Sequence, residues 1–200
     1  MIKVLHTIAA ELREHVPFTI FGTVTGIVIL ALIVSLNIPP EFSHGLFWTF
    51  HPIHVILSAL VTAGMYRRHS KGKLWATVVI GYIGAVGIAT LSDCLIPYVG
   101  EYLLDLPNRG LHLGFIEKWW LVNPLAFCGI AVAYLRPHTK IPHAGHVLLS
   151  TWASLFHITM AIGEPANVYT VILIAVFLFA AVWVPCCTSD IVFPLLFAKE

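Results

Sequence analysis

The chain has 200 residues, 58% of them hydrophobic and only 10% charged, with a formal net charge of +1 and a mean hydropathy of +0.89. A soluble domain of this size needs far more surface charge, so the composition points to an all-α integral membrane protein with the lipid bilayer as its partner. The lack of a basic block and the near-zero net charge speak against nucleic-acid binding.

The opening MIKVLHTIAAELREHV is too polar for a span or a cleavable signal. Val4, Ile8 and Leu12 fall on one face, as in an amphipathic helix lying at the interface. Six apolar stretches follow, at about 18–37, 45–66, 74–97, 119–136, 142–163 and 168–197. Each approaches the roughly 20 apolar residues that one crossing needs. The stretch 98–118 is broken by Pro107, Asn108 and Gly110, and reads as an exposed loop with a short surface helix.

Six crossings put both termini on one side. Lys3, Arg13, Arg67, Arg68, Lys71, Lys73, Arg136, Lys140 and Lys199 fall there; only Arg109 and Lys118 fall opposite. The excess of basic residues predicts a multi-pass protein with both termini cytoplasmic. Trp48, Trp119, Trp120 and Tyr66 lie near span ends and read as an aromatic belt. Gly81, Gly84 and Gly87 recur at three-residue spacing beside Ala85, which suits close helix packing in a bilayer. The cysteines Cys94, Cys128, Cys186 and Cys187 form no CxxC pair and read as small buried hydrophobes.

Polar groups recur within these apolar stretches. HPIHVILS at 51–58 returns as HAGHVLLS at 143–150, and SDCLIP at 92–97 returns as SDIVFP at 189–194. Apolar matches are cheap in such sequence, whereas shared histidine, serine and aspartate are not. The pattern predicts an internal duplication, residues 1–97 and 98–200, each with three spans. Because three is odd, the second unit enters the bilayer from the opposite face. The expected fold is therefore six transmembrane helices in two inverted-topology repeats, an architecture recurrent in secondary transporters.

On a helix, positions i, i+3 and i+7 share a face. His51, His54 and Ser58 line one stripe; His143, His146 and Ser150 line another. Helix return brings Asp93 to the depth of His51 and His54 near the outer side, and Asp190 to that of His143 and His146 near the cytoplasmic side. Two imidazoles and a carboxylate suit a borderline divalent metal: zinc, manganese, iron, cobalt or nickel. Ser58, Ser92, Ser150 and Ser189 would orient those ligands. A carboxylate inside a span costs roughly 2.5–3.5 kcal/mol on insertion scales, so it seeks a partner or a wet cavity. His157 is mid-span and reads as a further ligand or a proton relay, on the same face as Glu164. His112 reads as a solvated loop residue.

These patterns predict a divalent-metal transporter or channel with two His/His/Asp stations. The alternatives are an intramembrane metalloenzyme with one dinuclear centre, and a scaffold or partner subunit whose polar residues only join helices. Whether the chain is an enzyme, and whether it forms a homo-oligomer, stay open at this level. Haem held by paired histidines is not expected, because it leaves the repeated aspartates unexplained. No H-E-x-x-H or G-x-S-x-G motif is present.

Overall fold

The computed structural model describes residues 2–70, 73–136, 140–162, 167–187 and 192–197, and within them the side chains of 13, 16–70, 73–136, 145–162, 167–186 and 192–197. All regular structure among the described residues is helical. Helix α1 spans Ile2–Ser35, α2 Pro40–His69 and α3 Leu74–Thr90. A wide π turn, Leu91–Leu95, leads from α3 into α4, Ile96–Leu103. The short α5, Gly114–Glu117, precedes α6, Trp119–Leu135. Helices α7, Lys140–Ala161, and α8, Val168–Cys187, follow, with the short α9 at Phe193–Phe197.

Among the described residues, four segments are long and apolar enough to cross a membrane: Val16–Ser35, Pro40–His69, Leu74–Leu103 and Val168–Cys186; Trp119–Leu135 is a shorter apolar helix. Their outward faces carry large apolar side chains. On α1, Phe21, Val24, Val28 and Leu32 recur at helical spacing and are each more than half exposed. A soluble fold would bury such a stripe, whereas a bilayer solvates it.

The ends differ from the expected ones for local reasons. The N-terminal segment, expected to be a separate interfacial helix, is continuous with the first span; Pro17 lies within it. Helix α1 closes where Asn37 takes a left-handed φ of 50°. Asn37 N–H bonds Val34 O and Ile38 N–H bonds Ile33 O, which together satisfy the last carbonyls. Pro39 and Pro40 then open α2 five residues before the expected start, with the fixed φ that suits a first helical turn.

The third span does not stop at Pro97. The proline lacks an N–H and would crowd the carbonyl of residue 93 in a regular helix. The π turn at Leu91–Leu95 lies immediately ahead and takes up that misfit. Helix continues to Leu103, where Asp105 (φ 52°) closes it through Asp105 N–H to Tyr102 O and Leu106 N–H to Glu101 O. Residues 98–103, expected in a loop, are therefore helical.

Helix α2 is the central element, packed against α7, α6 and α3, while α1 and α8 flank α7. Small residues set the close approaches. A Cβ on Gly129 of α6 would overlap the Ile56 carbonyl of α2, and one on Gly84 would come within 2.6 Å of the Thr62 methyl. Gly81 lies against Ala63 and Ile130, but nothing approaches Gly87, so the close contact uses only part of the glycine stripe. Trp119 and Trp120 are exposed, as a belt requires, but Trp48 and Tyr66 are buried. Tyr82 Oη donates to Asn123 Oδ1 at 3.0 Å, tying α3 to α6.

Candidate functional site

His51 and His54 lie one turn apart on α2, and the π turn carries Asp93 to them. Asp93 Oδ2 accepts from His51 Nδ1 at 2.8 Å and from His54 Nδ1 at 2.7 Å. Its Oδ1 accepts from Ser92 Oγ at 2.7 Å and from Ser150 Oγ at 2.8 Å. All five side chains are buried to within 1%. Two carboxylate oxygens offer about four acceptor sites, and four donors fill them. In this arrangement Asp93 holds imidazoles and hydroxyls; the sequence expectation had it face an ion directly.

Ser150 comes from α7, in the second half of the chain, and so does His146. The His146 and His54 rings lie nearly parallel, with centroids 5.9 Å apart. The sequence placed these groups towards opposite faces. Their convergence follows from helix length. Helix α2 starts at Pro40, so His54 stands about 21 Å along its axis, near mid-helix. There α2 meets α7, and the Ser154 hydroxyl of α7 shares its one proton between the Ser150 carbonyl a turn back, at 2.7 Å, and the Ser92 carbonyl of the π turn, at 3.0 Å. Of the expected second set, the His143 side chain and Asp190 lie outside the described residues, as does Glu164.

His157 has a partner that sequence reasoning missed. Its Nδ1 lies 2.7 Å from Glu101 Oε1, and Glu101 Oε2 accepts from the Gly110 N–H at 3.2 Å. Both side chains are buried. The two carboxylates share one logic. Ser150 and His157 are seven residues apart on α7 and share its face. Asp93 and Glu101 are eight apart, which in a regular helix is about 80° out of register. The π turn takes up the extra residue, so both carboxylates face α7. The signal was a carboxylate two turns after Asp93, but it is legible only if the helix is known to pass Pro97.

Further rings extend this polar file towards the 104–118 connection. Phe47, fully buried, stacks on His51 (5.3 Å, 12°) and stands edge-on to His157 (5.3 Å, 81°). His112 lies 5.5 Å from His157, and its Nδ1 is 3.2 Å from Glu117 Oε2. His44 lies 6.0 Å from His112 and accepts from Trp48 Nε1 at 3.0 Å. Gly114 closes over the inner group: a Cβ there would overlap the His51 imidazole.

A carboxylate only accepts, so His51, His54 and His157 each present N–H at Nδ1. In the neutral ring the remaining nitrogen, Nε2, is then a bare lone pair. His54 Nε2 and His157 Nε2 are buried and have no hydrogen-bond partner among the described residues. A buried acceptor without a donor is costly, and carboxylate-backed imidazoles of this kind can take a proton or a metal ion. No group of three or more His, Cys, Asp or Glu side chains among the described residues is arranged to hold a metal ion. Compared with known proteins, the chain matches no family model, no curated protein and no solved structure.

Proposed function

We propose that the chain is a multi-pass membrane protein that binds a divalent transition metal on inward-facing imidazole nitrogens and moves it across the bilayer, as a transporter or channel. In this reading it has six spans in two inverted repeats, with both termini cytoplasmic. The observation that carries it is the pair of buried Nε2 atoms, on His54 and His157, in rings whose Nδ1 atoms are fixed by buried carboxylates. The meeting of His54 with His146 is what a pseudo-two-fold passing between α2 and α7 would require.

Asp93 keeps both imidazoles in the tautomer that leaves Nε2 as the lone-pair nitrogen, buried without a hydrogen-bond partner among the described residues on His54 and lying against Gly114 on His51, and makes that nitrogen a better donor. Imidazole nitrogen would replace water in the ion's coordination shell. Zinc, manganese, iron, cobalt and nickel all accept such ligands. Protons compete for the same nitrogen, so uptake falls as pH is lowered. The test is zinc influx into vesicles carrying the purified chain, read by an internal dye. Wild type should admit zinc, and His54→Ala should slow influx at least tenfold. If the folded chain admits none of the five metals, the reading fails.

A second reading, an intramembrane metalloenzyme, is favoured by one feature: side chains of both halves meet at Asp93, as a single centre requires. Two bound metals about 3.5–4 Å apart, with hydrolytic or oxygen chemistry, would select it.

A further inference from the structure

The imidazoles nearest the 104–118 connection repeat the inner chemistry in a more accessible place. His157 is fully buried, its Nδ1 is tied to Glu101, and its Nε2 has no hydrogen-bond partner among the described residues. His112, about a quarter exposed, has its Nδ1 on Glu117. Glu117 is itself positioned, because its other oxygen accepts from the Leu113 N–H at 2.9 Å. Two imidazoles thus stand side by side, each backed by its own glutamate, one dry and one reaching solvent.

We propose that His112 and His157 form a second binding station for a divalent transition metal, with Glu117 and Glu101 as positioning residues, separated from the His51/His54 site by the Phe47 ring. The proposal rests on the reading of the chain as a metal-handling membrane protein. Metal–nitrogen bonds to imidazole are about 2.0–2.1 Å, so two rings on one tetrahedral ion have centres roughly 5 Å apart. The observed centroids are 5.5 Å apart at 66°, close to that separation, and the rings would have to turn both Nε2 atoms towards one point to complete the pair. Water fills the remaining positions, because His112 reaches solvent. His44 is not needed: its Nε2 already accepts from Trp48. Lys118 is held over the Trp48 ring at 4.4 Å. The two glutamates offset the charge of the incoming ion. Metal arriving from the 104–118 end meets this station first, and Phe47, in contact with both His157 and His51, stands between it and the inner site.

Cobalt(II) titration of the full chain in lipid nanodiscs, followed by the visible ligand-field bands, tests this. Wild type should show two classes of site. His112→Ala should lose one class and keep the other, and the retained class shows that the variant is folded. Glu101→Gln should keep both classes but weaken one by 10–100-fold, as loss of a carboxylate behind a ligating imidazole does. His54→Ala should remove the class that His112→Ala retains. If His112→Ala keeps both classes with affinities within twofold of wild type, the outer station is overturned. If His54→Ala loses nothing while His112→Ala does, the inner reading fails and the outer station stands. Absence of any cobalt band in folded wild type overturns both.

Discussion

Asp93 is the residue on which the site turns. Its carboxylate gathers four donors from three helical segments, at 2.7–2.8 Å. Asp93→Asn leaves one oxygen for the two imidazole N–H groups and turns the amide towards serines that can rotate to accept, so the fold should lose only about 1 kcal/mol. Asp93→Ala leaves two buried N–H donors unsatisfied and should cost about 3 kcal/mol or more, since each such donor costs about 1–3. Ser150→Ala removes one of the four bonds and should cost about 1 kcal/mol. Unfolding of the purified protein in detergent measures all three; equal losses for the two Asp93 variants would show that the carboxylate's hydrogen bonds carry little. Phe47 offers a functional contrast. Phe47→Leu removes the ring between His51 and His157 while keeping an apolar side chain, and zinc influx into vesicles should rise severalfold. Unchanged influx would reduce the ring to packing.

Among the elements, the contact of α6 with α2 depends on Gly129. Its hypothetical Cβ overlaps the Ile56 carbonyl, which belongs to backbone and cannot turn aside. Gly129→Ala should therefore push the helices apart and cost about 2 kcal/mol, within the range for overpacking. Gly87→Ala, with nothing within 4 Å, should gain up to about 1 kcal/mol from helix propensity. Opposite signs for these two substitutions, read from the same unfolding curves, would confirm the packing account. The same scale explains what sequence could and could not tell. Histidines one turn apart and an aspartate on the returning span were legible because helical period and antiparallel return are simple geometry. Glu101 was hidden because Pro97 normally ends a helix, and the π turn that accommodates it leaves no compositional mark. Trp48 and Tyr66 were misread as belt residues because distance along the chain says nothing about which face of α2 is covered.

For the whole molecule, exposed apolar stripes on α1 and α8 flank α7, whose buried residues include His146, Ser150, Ser154 and His157, a distribution suited to a protein that handles something within the bilayer. The spacing of the repeated motifs suggested two stations near opposite faces. The longer helices instead bring His54 and His146 together, and the polar file runs from there past Phe47 to His157 and His112. The central claim is that carboxylate-fixed imidazoles present Nε2 to a metal ion in the interior. It is tested most directly by zinc-edge X-ray absorption on zinc-loaded His112→Ala protein, in which the proposed outer station is removed. The account predicts a shell of imidazole nitrogens at about 2.0–2.1 Å, lost when His51 and His54 are also replaced by alanine. An oxygen-only shell, or a nitrogen shell indifferent to those two replacements, would contradict it.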